Sequence, residues 1–348
     1  MGVFFYMVVA VLSTAVIWRG SALLESSAEK LSRHYELPEI VHGAVLMAVG
    51  SSFPELSTTI LSTLVHGAFE LGVAAIVGSA IFNILVIPGL AGLMAPEELR
   101  ANRDLVYKEA QFYMIAVALL LLTFSFAAIY NPVGAGPPEG PILGEVDRLL
   151  ALTPLSGYAL YLFLQYQDTA DYEAPEHEPI RPGREWLLLL LSLLIIVAGV
   201  EGLVRAALAF GEAFNTPSFL WGITVVAAGT SVPDAFVSVR AAQAGNATTC
   251  IANVLGSNVF DLLVAIPAGI MLAGVATINY SIAGPMMGVL TLATVLLFVM
   301  MRTGMVLTRR ESALLLVLYA AFVVWVSLES FGYIDMVPSL PPAPGEAG

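Results

Sequence analysis

The chain has 348 residues, of which 58% are hydrophobic and 12% are charged, and its formal net charge at pH 7 is −13. Soluble domains carry about twice that charged fraction, so the composition excludes an ordinary soluble enzyme and indicates a polytopic membrane protein. The acidic balance argues against nucleic-acid binding. The single cysteine, Cys250, rules out an intramolecular disulfide and a cysteine metal cluster, and we expect it to fill space in the core.

Ten apolar segments are long enough to cross a membrane, since a span needs about 20 residues. The first has no basic n-region and no small-residue cleavage site, so we interpret it as a span and not as a removed signal. A short acidic loop over residues 167–185 separates a first half, 1–166, from a second half, 186–333, and a Pro-rich tail covers residues 334–348. In chain order the predicted spans lie near residues 3–30, 38–64, 70–94, 108–130, 149–166, 185–210, 217–240, 247–272, 281–301 and 312–331.

Lysine and arginine residues are distributed unevenly between the two sides of this arrangement. With ten spans, twelve of the 14 basic residues fall on one side and only Arg148 falls on the other, while Arg205 lies within the sixth span. The positive-inside rule then predicts a protein of the cell membrane with both termini outside and the acidic 167–185 loop in the cytoplasm.

A pair of motifs recurs in the second half of the chain. GSSFPE at residues 50–55 returns as GTSVPD at 229–234, and GSAIFN at 78–83 returns as GSNVFD at 256–261, at offsets of 179 and 178 residues. Because each copy belongs to a unit of about five spans, an odd number, the second copy enters the membrane from the opposite side. The sequence therefore predicts an all-α polytopic membrane protein with ten transmembrane helices as two inverted five-helix repeats, a pattern typical of secondary transporters with a mid-membrane site.

The first motif places a proline and an acid together in the membrane. Pro54 and Pro233 each lack the backbone donor of a helix, and the acids Glu55 and Asp234 directly follow them. A mid-membrane carboxylate costs roughly 2.5–3.5 kcal/mol unless it has a partner or a function. A hard cation such as Na⁺ or Ca²⁺ binds both carboxylate and carbonyl oxygens, so it would suit both features. The carbonyls that we expect to be freed belong to Ala48, Ser51, Ala227 and Thr230.

The second motif adds further oxygen donors on one helix face. Ser79 and Asn83 are four residues apart, and so are Ser257 and Asp261. Crossed against the two acids of the first motif, they would complete a cage of three carboxylates and one amide. Its charge would nearly balance one Ca²⁺ or several Na⁺.

These motifs resemble the two alpha-repeats of the sodium/calcium exchanger family, within the cation/Ca²⁺ antiporter superfamily. The resemblance covers nearly the whole chain, with alpha-repeats near 43–92 and 222–270, and is to prokaryotic-type members without a regulatory domain. It implies that Glu55 and Asp234 are central acids shared in turn by Ca²⁺ and Na⁺. The other implied ligands are the carbonyls of Ser51 and Thr230 for Ca²⁺, the hydroxyls of Ser52, Ser231, Ser79 and Ser257 and the carbonyls of Ala48 and Ala227 for Na⁺, and the central polar pair Asn83 and Asp261.

The resemblance implies a secondary antiporter, and not an enzyme, that exports Ca²⁺ in exchange for Na⁺ by alternating access. Such a protein needs no cofactor besides its transported ions, and its partner is the lipid bilayer, with no protein partner implied. Proton-driven relatives usually carry Glu in both repeats, so the Glu55 and Asp234 pair favours Na⁺. An H⁺/Ca²⁺ antiporter and, because of Asp261, a K⁺-dependent Na⁺/Ca²⁺ exchanger stay open, with a Ca²⁺-permeable channel as a distant alternative.

Charged residues outside the motifs have simpler interpretations. Glu201 and Arg205 are four residues apart on the sixth span, so we expect them to neutralise each other. Glu25 and Glu29 fall near the end of the first helix, close to Lys30, and are predicted to lie at the membrane interface.

Overall fold

The computed structural model describes residues 2–35, 48–100, 102, 108–134, 140–168, 180–337 and 340. These residues are mostly helical, and they contain nine helical segments long and apolar enough to cross a membrane. The helices are α1 (Val3–His34), α2 (Ala48–Ser51), α3 (Phe53–Leu64), α4 (Phe69–Met94), α5 (Ala110–Tyr130), α6 (Arg148–Asp168), α7 (Pro182–Phe214), α8 (Ser218–Trp221), α9 (Ala227–Gln243), α10 (Ala247–Phe260), α11 (Ile266–Ala273), α12 (Tyr280–Arg302) and α13 (Arg309–Ser330).

The helices follow the predicted spans within a few residues at most of their ends. The first and sixth spans are longer than predicted, because α1 and α7 continue through their polar ends. The second predicted span, 38–64, is described only from residue 48, as α2 and α3. Its first part, the middle of the acidic loop and the end of the tail lie outside the described residues and stay predictions.

The two prolines of the first motif act differently on their helices. In the first repeat the helix is broken at Ser52, between α2 and α3, and Pro54 lies in the first turn of α3. In the second repeat α9 runs unbroken through Pro233. Two π-helical turns lie in that half, at Gly222–Val226 and Asp261–Ala265, and such local irregularities are frequent at functional sites. A helix break therefore accompanies the proline in the first repeat only.

Short strands that the sequence analysis did not predict join the loops between helices. One sheet pairs β1 with β5 and the other has the order β2-β3-β4, both antiparallel. Each sheet joins loops that the ten-span arrangement places on the same side of the membrane, and so supports that arrangement. The strands are β1 (Leu99–Arg100), β2 (Pro132–Val133), β3 (Leu143–Asp147), β4 (Val275–Asn279) and β5 (Val306–Leu307).

The buried apolar side chains form two separate clusters. The larger one surrounds α4, which is almost entirely buried and packs against α3, α9, α10, α12 and α13. The smaller one joins α1 to α7 and also includes Leu71, Ala75 and Val226. The α1–α7 pair thus has a core of its own, which meets the rest of the protein along one face.

The contact between α1 and α7 is reciprocal. A Cβ placed on Gly20 would lie 2.7 Å from Cγ1 of Ile196, and one placed on Gly199 would lie 2.8 Å from Cγ1 of Ile17. Gly199 lies 179 residues after Gly20, and Ile196 lies 179 residues after Ile17, which is the offset of the repeat. The same glycine–isoleucine contact therefore occurs twice between the two helices. Glycine is needed at both positions because it lets the helices approach closely.

Candidate functional site

The predicted site residues come from both repeats and meet in the protein interior. They lie at the break between α2 and α3, on the middle of α4, on α9, and on α10 with the π-helical turn that follows it. Only the backbone of Ala48 is described. Every polar member has a side chain that is at most 4% exposed, namely Ser51, Ser52, Glu55, Ser79, Asn83, Thr230, Ser231, Asp234, Ser257 and Asp261.

A first chain of hydrogen bonds runs from the acid of the first repeat into the second repeat. The Ser79 hydroxyl lies 3.3 Å from Oε1 of Glu55 and 2.7 Å from the hydroxyl of Ser231. The Ser231 hydroxyl in turn lies 2.8 Å from the carbonyl oxygen of Ala227. The Ala227 carbonyl, which we expected to be free, is therefore within reach of a hydroxyl one turn later.

A second chain repeats this arrangement with the roles of the repeats exchanged. The Ser257 hydroxyl donates to Oδ2 of Asp234 at 2.6 Å and lies 2.8 Å from the hydroxyl of Ser52. In each chain a serine of the second motif links the acid of its own repeat to a first-motif serine of the other repeat. The two repeats thus build one site together, as the inverted-repeat prediction requires.

An asparagine that the sequence analysis missed completes the centre of the site. The Asn83 amide nitrogen donates to Oδ1 of Asn258 at 3.0 Å and to Oδ2 of Asp234 at 3.4 Å. Asn258 itself donates to the carbonyl of Ala80 and to the hydroxyl of Tyr113. The sequence held one signal for Asn258, which is its position in GSNVFD. The first repeat has Ala80 at the matching position, so the polar Asn258 breaks the symmetry of the motifs.

Five buried oxygen atoms of the site have no hydrogen-bond partner among the described residues. A buried acceptor without a partner costs about 1–3 kcal/mol, and more when it is charged. The carboxyl groups of Glu55, Asp234 and Asp261 are also close enough to repel one another. A cation would satisfy the oxygens and remove the repulsion. The five atoms are Oε2 of Glu55, Oδ1 of Asn83, Oδ1 of Asp234 and both carboxylate oxygens of Asp261.

The acids of the site are near one another but do not by themselves form a complete metal site. Over the described residues, no three acidic, histidine or cysteine side chains lie close enough together to hold one metal ion. Serine hydroxyls instead stand between the acids of one repeat and the helices of the other. The site therefore offers a mixed set of carboxylate, amide, hydroxyl and carbonyl oxygens, which suits hard cations. The expected cage of three acids and one amide stays a prediction.

The predicted pair on the sixth span is present and has a third member. The Arg205 side chain donates to Oε1 of Glu201 at 2.6 Å, as expected, and Nε2 of His66 lies 3.0 Å from Oε2 of the same carboxylate. His66 follows α3, so this group ties α7 to the loop between α3 and α4.

Comparisons with known proteins agree with this architecture. The family model described as sodium/calcium exchanger protein matches residues 5–167 and 184–328. The protein named sodium/calcium exchanger MaX1 of Methanosarcina acetivorans is 25% identical over 345 residues, 91% of this chain and 97% of that protein. Sodium/potassium/calcium exchanger 4 of Homo sapiens is 41% identical over 97 residues, which is 28% of this chain and 15% of the human protein.

A solved structure supports the fold independently. The sodium-calcium exchanger NCX_Mj, soaked with 100 mM Na⁺ and 10 mM Sr²⁺, matches with a TM-score of 0.60 at 23% identity, covering 93% of this chain and 99% of that one. Together with the membrane-length helices described above, this match confirms the predicted fold class, an all-α polytopic membrane protein built from two inverted repeats.

Proposed function

The chain belongs to the sodium/calcium exchanger family, and on this premise we propose that it exports Ca²⁺ in exchange for Na⁺ by alternating access at one mid-membrane site. It is a multi-pass membrane transporter and not an enzyme. The ions are its substrates, and the family works without a cofactor.

The observation that carries the proposal is the pair of reciprocal hydroxyl chains between the repeats. Each chain ends on an acid that keeps one buried oxygen without a partner among the residues that the structure describes, Oε2 of Glu55 or Oδ1 of Asp234. Such oxygens are ligands for either Na⁺ or Ca²⁺. Because the two ions would need the same acids, binding of one would expel the other, which is the coupling that an antiporter requires.

The ligand assignment that we propose follows the resemblance, residue by residue. Glu55 and Asp234 bind each ion in turn, and the carbonyls of Ser51 and Thr230 reach Ca²⁺. Asn83 and Asp261 complete the centre of the site. The flanking Na⁺ ligands are the hydroxyls of Ser52, Ser79, Ser231 and Ser257 and the carbonyls of Ala48 and Ala227.

The moving part that we propose is the α1–α7 pair. These two helices share their own apolar cluster and carry none of the site residues. Sliding this pair along the rest of the protein would open the site first to one side and then to the other while the ligands stay in place. The halves 1–166 and 186–333 would then act as the two inverted repeats.

The orientation that we propose puts both termini outside the cell membrane and the 167–185 loop in the cytoplasm. The supporting observation is the bias of lysine and arginine toward one side. The pairing of β1 with β5 joins two loops of that basic side.

Ca²⁺ uptake into proteoliposomes tests the function, with Na⁺, K⁺ and H⁺ gradients imposed one at a time. We expect uptake with an outward Na⁺ gradient and none with a pH gradient alone. Whether Na⁺-driven uptake also requires K⁺ is tested separately, because part of the chain matches a sodium/potassium/calcium exchanger. Uptake driven by H⁺ without Na⁺ would overturn the assignment of the driving ion, and flux without any counter-ion would indicate a channel.

Substitution of the two acids tests the site. Glu55→Gln and Asp234→Asn each remove the charge and keep the size of the side chain, so we expect both to abolish exchange. Glu98→Gln is the matched control, because Glu98 is an exposed acid in the loop before β1. Full Ca²⁺ exchange in either site variant would contradict the proposal.

A further inference from the structure

An additional acid, Glu25 on α1, faces the site from the helix pair that we propose to move. It is half-buried and lies within electrostatic reach of Asp234 on α9. Its Cγ is 3.8 Å from the position that a Cβ on Gly50 would take, so the side chain lies beside the start of GSSFPE. The side chain points toward the site helices, and the expected position of Glu25 at the depth of the membrane interface stays a prediction.

The basic residues next to Glu25 are engaged by other acids. Arg33 pairs with Glu29 one turn earlier on the same helix, and Lys30 lies 3.6 Å from Glu185 on α7. Glu25 has no hydrogen bond or ion pair with any residue that the structure describes. A carboxylate there would add to the negative charge of the site.

A cation on the neighbouring helix does not neutralise Glu25 either. Arg240 lies on α9, six residues after Asp234, but its guanidinium packs over the ring of Phe236 at 4.7 Å from the centroid. That ring also packs against Trp18 of α1, at 4.8 Å between centroids. The aromatic contact and the acid therefore occupy neighbouring parts of the α1–α9 interface.

A second oxygen donor stands beside Glu25. Ser21 precedes it by four residues, which places both side chains on one face of α1. The Ser21 side chain is completely buried, and its Oγ has no partner among the described residues. Oδ1 of Asp234 is likewise buried without a partner in that part of the chain. Among the described residues, α1 thus presents a carboxyl group and a hydroxyl without partners, and the carboxyl group lies within electrostatic reach of a site acid that has an unpartnered oxygen of its own.

We propose that Glu25 and Ser21 form a staging site on α1 that takes a hard cation, Ca²⁺ or Na⁺, from the cytoplasmic side and passes it to Asp234. Glu25 lies nine residues before the end of α1, and the orientation proposed above places that end in the cytoplasm. Because the staging oxygens lie on α1 and the final ligands lie on other helices, sliding of α1 changes the distance between them. The inference rests on the proposed function for its choice of ions.

Initial rates of Ca²⁺ transport, measured separately at each face in right-side-out and inside-out vesicles, test the staging site. For Glu25→Gln we expect the half-saturating Ca²⁺ concentration at the cytoplasmic face to rise about three- to tenfold, the range for loss of one charge-assisted contact. The value at the outer face and the maximal rate should stay within twofold of the wild type. Glu25→Asp, which keeps the charge, should restore most of the cytoplasmic affinity.

Glu29→Gln is the matched control, since Glu29 lies one turn away on the same helix, and its side chain is 42% exposed and paired with Arg33. It should change the half-saturating concentration at neither face. Unchanged cytoplasmic affinity in Glu25→Gln would overturn the proposal, and so would an equal loss at both faces, which would indicate a structural role. If the wild type proves to be H⁺-driven, the proposed function fails, but the same comparison under a pH gradient still decides the role of Glu25.

Discussion

Alanine substitutions at Gly20 and Gly199 test the reciprocal contact that holds α1 to α7. A new Cβ at Gly20 would lie 2.7 Å from Cγ1 of Ile196, and one at Gly199 would lie 2.8 Å from Cγ1 of Ile17 and 3.1 Å from the carbonyl of Ser13. Carbon atoms pack best at about 3.5–4.0 Å, so each methyl group must displace the facing helix. Overpacking of this kind costs about 1–3 kcal/mol, and we expect each variant to lose that much stability.

The assay is thermal unfolding of the purified protein in detergent at one fixed heating rate, together with Na⁺-driven Ca²⁺ uptake. Gly288→Ala on α12 is the control, because a Cβ there meets no atom within 4 Å. It should leave the unfolding midpoint unchanged or raise it, since alanine favours a helix over glycine by about 0.5–1 kcal/mol.

A double-mutant cycle identifies the contact itself. Ile196→Ala removes the atom that the new methyl group would strike, so Gly20→Ala should cost less stability in that background than in the wild type. If Gly20→Ala and Gly199→Ala unfold at the same temperature as Gly288→Ala, the close packing of α1 on α7 is refuted.

Two further predictions concern residues that support the site and the chain end. Asn258→Ala removes the acceptor that orients the Asn83 amide. We expect the half-saturating Ca²⁺ concentration to rise about fivefold, because one hydrogen bond contributes about 1 kcal/mol. An unchanged Ca²⁺ dependence of exchange would contradict this role. Glu329 is completely buried and accepts from the backbone nitrogens of Met336 and Val337 at 2.5 Å. Glu329→Ala leaves these donors unpaired, so limited proteolysis after α13 should be faster than in the wild type, and an equal rate would refute the contact.

The helices could be predicted from the sequence because the membrane imposes a length of apolar chain on each of them. The strands could not, since runs of two to five residues in loops carry no periodic signal, and β3 finds its partner β4 more than a hundred residues away. The different effects of Pro54 and Pro233 were also hidden, because the two motifs read alike and the surrounding packing decides whether the helix breaks.

The site was predictable where the repeat doubled the signal and unpredictable where the symmetry failed. Glu55 and Asp234 stood out because each acid follows a proline at matching places. Asn258 has no counterpart in the other repeat, so pattern matching assigned it no role. Glu25 has none either, and its place near the end of the first span suggested only an interfacial residue. His66 was missed for another reason, since it meets Glu201 only through folding, at a separation of 135 residues.

The two hydroxyl chains of the site match in their supply of protons. On the side of Glu55, the hydroxyls of Ser79 and Ser231 have two protons for three links, which end at the Ala227 carbonyl. On the side of Asp234, the hydroxyls of Ser257 and Ser52 likewise have two protons for three links, which end at the Ser257 carbonyl. One link in each half is therefore unmade at any instant. The two-fold symmetry of the repeats thus extends from the backbone to the protons of the site, and each half keeps one hydroxyl lone pair or carbonyl oxygen available to an ion.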